Sequence, residues 1–259
     1  MSGVTFDLEM ARSYTFGRRM PDVQTELWVN YFYDLLENAK KVKNQPSTGT
    51  ILDLGSGIGR FSSQIAERTG VEVLGVEPSP AMLEVAKSEN SHPMVRYYSG
   101  SAESIPLRRD QCDAAFLFLS LHHFTDRRAA GREICRVCKP DSPIMIRTEF
   151  CDRPQLVFWH HLLPRAAEID INLYPEFEVL CADLESAGLR PARLSRLPYK
   201  AADTLKVYLS QLRLGSLSAL RLYGKALAQQ ELDELEFHDT ELNEPVYEVG
   251  HVLVCRTIP

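Results

Sequence analysis

At 259 residues, 44% of them hydrophobic, the chain is long enough to bury one larger α/β core, and one domain with a helical elaboration is the expectation. A formal net charge of -6 with scattered arginines sets nucleic acid aside as a partner, and no apolar run reaches the ~20 residues of a membrane span. Asp7 and Glu9 stand where a signal peptide would be basic and then apolar, and the six cysteines lie in apolar contexts, so a soluble cytoplasmic protein with reduced thiols is expected.

Residues 6–20 mix aromatic, basic and small side chains without a strand or long helix period, which suits a segment folded over a site. Pro21 fits a first helical turn, and Leu27, Tyr31, Phe32, Leu35 and Leu36 recur at helical spacing to about Lys40. Thr50-Ile51-Leu52-Asp53-Leu54 then predicts a strand buried on both faces, broken by Gly55, Gly57 and Gly59 before an amphipathic helix. Glycine there lets another molecule lie against the backbone, while the first helical amides offer unpaired donors. Asp53 closes the strand with a negative charge, which favours a ligand carrying an amine or hydroxyls over a bare phosphate.

A helix follows to Gly70, and residues 71–77 form a second strand that ends in Glu77. Pro78-Ser79-Pro80 starts the next helix, with Ser79 as N-cap and Met82, Leu83, Val85 and Ala86 filling it. Residues 94–99 and 112–119 predict two more strands, the first running into Gly100-Ser101-Ala102-Glu103 and the second into Ser120-Leu121-His122-His123-Phe124. Asp126 caps a helix, and residues 143–149 are a fifth strand. Strand and helix in alternation imply right-handed crossovers and a parallel sheet. Beyond 150, an aromatic and His-rich stretch to 175 precedes a helix at 176–187, a strand at 189–199, helices at 203–214 and 216–236, and a last strand at 247–257.

The pattern resembles the class I S-adenosylmethionine-dependent methyltransferases of the small-molecule group, closely over residues 50–150 and loosely elsewhere. Four motifs fall in register: Asp53-Leu54-Gly55-Ser56-Gly57-Ile58-Gly59, Val76-Glu77-Pro78-Ser79, Gly100-Ser101-Ala102-Glu103 and Leu121-His122-His123-Phe124. Nicotinamide and flavin enzymes share the glycine loop and an acidic residue ~20 positions on; Asp53 and Glu103 separate this chain from them. The resemblance implies a Rossmann-like α/β fold: a seven-stranded, mostly parallel sheet with helices on both faces, an antiparallel last strand and a helical cover. It divides the chain into an amino-terminal cover segment (1–45), a cofactor-binding core (46–150) and a remainder (151–259) carrying a substrate lid at about 151–175 and 201–242.

The same resemblance assigns S-adenosylmethionine as cofactor and gives residues their parts. Gly55, Gly57 and Gly59 approach its methionine portion and ribose, Asp53 receives its amino group and Glu77, followed by Pro78, its ribose hydroxyls. Met82 lies on the adenine, Ala102 and Glu103 hydrogen-bond it, and Leu117 and Phe118 lend carbonyls to the amine. From the amino-terminal segment, Tyr14 and Arg18 fold over the cofactor, Arg18 toward its carboxylate. His122, His123, His160 and His161 are the candidate proton acceptors, since histidine titrates near neutral pH, and Trp159, Tyr174, Tyr208 and Tyr223 would line the substrate pocket. Lys139-Pro140-Asp141-Ser142 replaces the family's Lys-Pro-Gly-Gly connector, a departure that bears on folding. Cys135 and Cys138 have zinc-like spacing without a second close pair, and no metal is expected.

Methyl transfer to an oxygen, nitrogen or carbon of a small, rather apolar metabolite follows, in secondary metabolism given the long aromatic cover, by a monomer or homodimer. The alternatives are a protein of this fold that binds the cofactor but catalyses a reaction such as cyclisation, a nicotinamide-dependent oxidoreductase, and a non-catalytic partner-binding module.

Overall fold

A computed structural model describes residue 11 and residues 20–43, 49–153 and 157–258, the side chains of 40–43 apart. Tyr14 and Arg18 lie outside the described residues. Seven strands form one sheet in the order β3-β2-β1-β4-β5-β7-β6. Strands β1 (Thr50–Leu54), β2 (Glu72–Glu77), β3 (Val95–Ser99), β4 (Ala114–Phe118) and β5 (Pro143–Thr148) run parallel. The last strand, β7 (Val246–Thr257), is antiparallel to both neighbours and lies between β5 and β6 (Leu189–Ala202).

The central strands are buried almost throughout, as expected of a sheet covered on both faces. The outer strands are not. β3 is half-buried, and β6 carries Arg190, Arg193, Arg196 and Lys200 with Pro191 and Pro198, charges and prolines that discourage another strand from pairing at the edge. β6 extends three residues past its predicted end because its pairing with β7 continues to Ala202.

Helices cover the two faces. On one, α1 (Asp22–Lys43) and α2 (Arg60–Thr69) pack Trp28, Phe32, Phe61 and Ile65 against Phe116 and Met145. On the other, α4 (Arg127–Val137) and α7 (Phe177–Ser186) set Ile134, Val137, Leu180 and Leu184 against Leu117 and Ile146. Helix α3 (Pro80–Glu89) begins as predicted, the Met82 amide donating to the Ser79 hydroxyl at 3.3 Å. Asp126 caps α4 through the Ala129 amide at 2.9 Å.

The aromatic stretch before α7 folds into two helices, α5 (Trp159–Leu162) and α6 (Pro164–Leu173), the latter starting on its proline. After α8 (Leu205–Arg213), the single helix expected at 216–236 is two, α9 (Ser218–Tyr223) and α10 (Lys225–Asp233). Gly224 separates them with φ of 111°, a backbone that ends the first helix outright. A short α11 (Asp239–Leu242) precedes β7. Side chains of α5, α6, α8, α9 and α10 join the same apolar cluster as α1, so the carboxy-terminal helices build onto one face of the sheet. Asp141 occupies the position of a family glycine with φ of 57°, the left-handed backbone that glycine serves, and Arg256 donates to its carbonyl at 3.1 Å. All six cysteines are free thiols. Among the described residues no helix is long and apolar enough to cross a membrane.

Candidate functional site

Strand β1 ends at the centre of the sheet and the chain turns through Gly55–Gly59 into α2. The glycines serve different ends. A Cβ on Gly59 would fall 2.1 Å from the Tyr97 hydroxyl, whereas one on Gly57 meets nothing within 4 Å. Gly57 therefore presents bare backbone, with φ of 54°, to open space. Beneath the loop, the Tyr97 hydroxyl donates to the Asn90 carbonyl at 2.9 Å and the Asn90 side-chain Nδ2 donates to the Ile58 carbonyl at 2.8 Å, so β3 and the end of α3 hold its shape.

Two buried carboxylates flank this loop. Asp53 accepts from the Ser62 hydroxyl at 2.6 Å; burial raises its carboxyl to about 7, the Ser62 bond opposing and the Glu77 charge adding. Glu77 accepts from the amides of Gly57 and Ser79, both at 3.0 Å, and burial still raises it against those two bonds. Each Glu77 oxygen keeps a lone pair for a further donor.

Asp53, Gly55, Gly57 and Phe118 line one cavity with Phe61 and Leu119. Pro78 is exposed beside the Ser79 cap. Met82 is buried with Ile58 and Val85, and Ala102 and Leu117 belong to the opposite core. Glu103 does not line this cavity: its Oε1 accepts from the Thr125 amide and hydroxyl and the Asp126 amide at 2.8, 3.0 and 3.2 Å. Burial works to raise Glu103, and its own amide with those of Asp126 and Thr125 and the Thr125 hydroxyl hold it below the usual carboxylate range.

A second cavity, of about 130 Å³, adjoins the first and shares Met20, Phe118 and Leu119 with it. Leu119, just past β4, has φ of 50°, a left-handed backbone that a leucine adopts only under constraint. It sits where both cavities meet. Of the four candidate histidines, His122 lines this second cavity, its ring 4.9 Å from that of Tyr174 and 4.0 Å from that of His123. His123 and His161 are exposed, and His160 shares a 2.9 Å hydrogen bond with Asp170, which also lines the cavity. Trp159, Tyr174 and Tyr208 face it as expected, whereas Tyr223 lies apart and donates to Glu231 at 2.5 Å.

The second cavity also holds ionised groups that no motif announced. Arg147 and Glu149, at the end of β5, pair at 2.6 Å with side chains 3% exposed, and Glu149 meets His251 of β7 at 2.5 Å. Burial opposes charge on both members of the pair; the Glu149 charge outweighs it at Arg147, whose pKa rises, and Arg147 with His251 outweighs it at Glu149, whose pKa falls. Glu248 accepts from the Phe158 amide at 3.0 Å, the Tyr199 hydroxyl at 2.7 Å and the Tyr208 hydroxyl. Burial, then the Glu248 charge, raises both tyrosines. The only signal in sequence was charge at alternate positions of otherwise apolar strands: Arg147 and Glu149 in one, Glu248 in the other.

Residues 52–146 match the family model of a methyltransferase domain. Among similar proteins, an uncharacterized Bacillus subtilis methyltransferase, YcgJ, is 32% identical over 117 residues, 43% of this chain and 46% of that protein. A Pyrenophora dematioidea O-methyltransferase is 30% identical over 164 residues, 57% of this chain and 61% of that protein. The chain thus spans about half the length of these relatives. In fold it matches a protein from an antibiotic biosynthesis pathway of Anabaena variabilis, with a TM-score of 0.69 and 21% identity over 94% of this chain and 100% of that one. The bare backbone at Gly57, the buried carboxyl of Asp53 and the remaining lone pairs of Glu77 suit S-adenosylmethionine as cofactor. The matched stretch runs from β1 into β5, so over these five strands of the sheet the chain is similar to methyltransferase domains.

Proposed function

We propose that the protein transfers the methyl group of S-adenosylmethionine to an oxygen, nitrogen or carbon of a small, rather apolar molecule. The observation that carries this is the meeting of two cavities at Phe118 and Leu119, one floored by the glycine loop and the other walled by aromatic side chains. When bound, S-adenosylmethionine supplies a sulfonium-activated methyl group, so the protein needs no covalent nucleophile. Asp53 would take its amine, the backbone at Gly55 and Gly57 its methionine portion, and Glu77 its ribose hydroxyls. Met82 and Ala102 would neighbour the adenine, and the Glu103 carboxylate would reach it with the oxygen that does not hold Thr125. Solved structures of this fold, including a Haemonchus contortus N-methyltransferase, contain S-adenosylhomocysteine, which supports that assignment.

The chain's own work is to place the acceptor and exclude water. Residues 151–175 and 201–242 act as the lid over the second cavity, with Met20 and Gln24 beside them. His122, the candidate histidine that lines the cavity, receives the acceptor's proton. Incubation of the full chain with methyl-labelled S-adenosylmethionine and a panel of small aromatic alcohols and amines tests the proposal. Label in an organic-soluble product is expected; none from any acceptor, alongside good binding of S-adenosylhomocysteine, would defeat it. A [4+2]-cyclase, SpnF, has the same fold, so product mass is measured too: a product without an added methyl group would establish the non-methylating alternative.

A further inference from the structure

Resting on that reading, we infer that the substrate of the second cavity carries an amine and is bound as its ammonium ion, by the carboxylates of Asp170 and Glu248 and the rings of Trp159, Tyr174 and Tyr208. Among the described residues lining this cavity, Glu149, Asp170 and Glu248 are carboxylates against one guanidinium, Arg147. Arg147 and Glu149 answer each other. One Glu149 oxygen accepts from Arg147 at 2.6 Å and the other meets His251 at 2.5 Å, both members of the pair being 3% exposed. Glu248 forms no ion pair among the described residues; its donors are the Phe158 amide and the Tyr199 and Tyr208 hydroxyls, all neutral. Asp170, on α6, shares Oδ2 with His160 at 2.9 Å, while its Oδ1 takes no hydrogen bond from the described residues. Its side chain is 13% exposed, so this carboxylate keeps accessible surface and an open acceptor at the cavity wall.

Neutral donors steady a carboxylate without cancelling its charge, and a buried charge without a counter-ion is costly. A neutral guest would displace water from Glu248 and Asp170 and bring no charge in return, and an anion would be repelled by both. An ammonium offsets them and offers N–H donors to the open oxygen of Asp170. His122 on the wall, and His160 and His251 bonded to Asp170 and Glu149, are the groups able to add positive charge, and none of them bonds to Glu248. The aromatic walls agree. Trp159 comes from α5, Tyr174 from the end of α6 and Tyr208 from α8. The Arg147 guanidinium lies over a different set, Trp28, Tyr199 and Phe118, with centroids 5.2, 5.8 and 6.0 Å from Cζ. Ring faces attract an ammonium, most strongly where water is excluded. A volume of about 130 Å³, close to the ~150 Å³ known to admit benzene, limits the substituent on that ammonium to one ring or a chain of similar bulk.

The test uses the full chain loaded with S-adenosylhomocysteine and three one-ring probes, benzylamine, benzyl alcohol and benzoate, titrated at neutral pH by ligand-observed NMR. Benzylamine is expected to bind at least about tenfold more tightly than either of the others. Asp170 is varied in place of Glu248, whose loss would strand three donors and endanger folding. Asp170→Asn keeps the shape and an acceptor for His160, and it should weaken benzylamine by about tenfold while moving benzyl alcohol by less than about twofold. Tyr174→Leu, which exchanges a ring face for an aliphatic one, should weaken benzylamine by about fivefold. Benzyl alcohol or benzoate as the tightest probe, no benzylamine binding to the wild type, or a benzylamine affinity unmoved by either variant would each overturn the inference. Calorimetry of S-adenosylhomocysteine on the same samples separates the two levels. Cofactor binding with unselective probes sinks only the ammonium site, and no cofactor binding sinks the methyltransferase reading with it.

Discussion

Asp53 carries the sharpest consequence for a single residue. Its carboxyl titrates at about 7 in the folded protein against 3.8 ordinarily, so between those values the folded chain holds a proton that the unfolded chain has released. Its contribution to stability is therefore full below 3.8 and declines as pH rises toward about 7, by up to ~1.4 kcal/mol per pH unit. Melting curves from about pH 5 to about pH 8 should fall more steeply for the wild type than for Asp53→Asn; parallel curves would refute the assignment. Ligand binding should run the other way. An ammonium group at Asp53 favours the carboxylate, so affinity for S-adenosylhomocysteine should rise with pH up to about 7 in the wild type and stay flat in Asp53→Asn. For the acceptor, His122→Ala should lower kcat by about 10²- to 10⁴-fold while leaving cofactor affinity intact, and a kcat within a factor of about three of wild type would remove His122 from the chemistry. Asp53 and Glu77 were legible in sequence because each closes a strand beside its own glycine or proline turn. Arg147, Glu149 and His251 were not, since they meet only through the pairing of Arg147 with Val252 and Thr148 with His251 across β5 and β7, nor was Glu248, which meets Tyr199 across β6 and β7. Nothing local in the chain records that pairing.

Among elements, the ones read correctly are those whose pattern is complete within a short window. β1, β2, β4 and β5 are short, mostly apolar runs, and α3 and α4 carry their own caps at Ser79 and Asp126. The break at Gly224 escaped because the leucine spacing continues across it, with Leu217 and Leu220 on one side and Leu227 on the other, while the backbone does not. Glu248 exposes a second kind of hidden order. By accepting from Phe158, Tyr199 and Tyr208, one β7 carboxylate ties together the segment leading into α5, strand β6 and helix α8. Glu248→Ala leaves three buried donors unmet and should destabilise the protein by about 3 kcal/mol, read as a lowered denaturant midpoint. Tyr208→Phe removes one donor to Glu248 and the acceptor of the Trp159 amide but leaves the carboxylate its other two donors, so a smaller loss of about 1 to 2 kcal/mol is expected. Equal losses in the two variants would show that the carboxylate does not act as a shared tie.

At the scale of the molecule, ligand and fold should be measurably linked. S-adenosylhomocysteine at about a hundred times its Kd adds ~2.7 kcal/mol to stability, which for a chain of this size raises Tm by roughly 5 to 10 °C. NAD at the same concentration should leave Tm unchanged, and the reverse pattern would restore the nicotinamide alternative. The position of β7 has a further consequence, for synthesis. β6 hydrogen-bonds to β7 alone, and β7 brings Glu248 to the second cavity, with Gly250 and His251 behind its Arg147 and Glu149. A ribosome delivers β1 to β5 first, and they can pair as they emerge, yet β6 waits with its inner edge bare until residues 246–257 slide in between. The glycine-loop cavity can thus take shape on the growing chain, while the second cavity is completed only with the last strand. A nascent chain stalled before β7 should bind S-adenosylhomocysteine before it can hold anything to methylate.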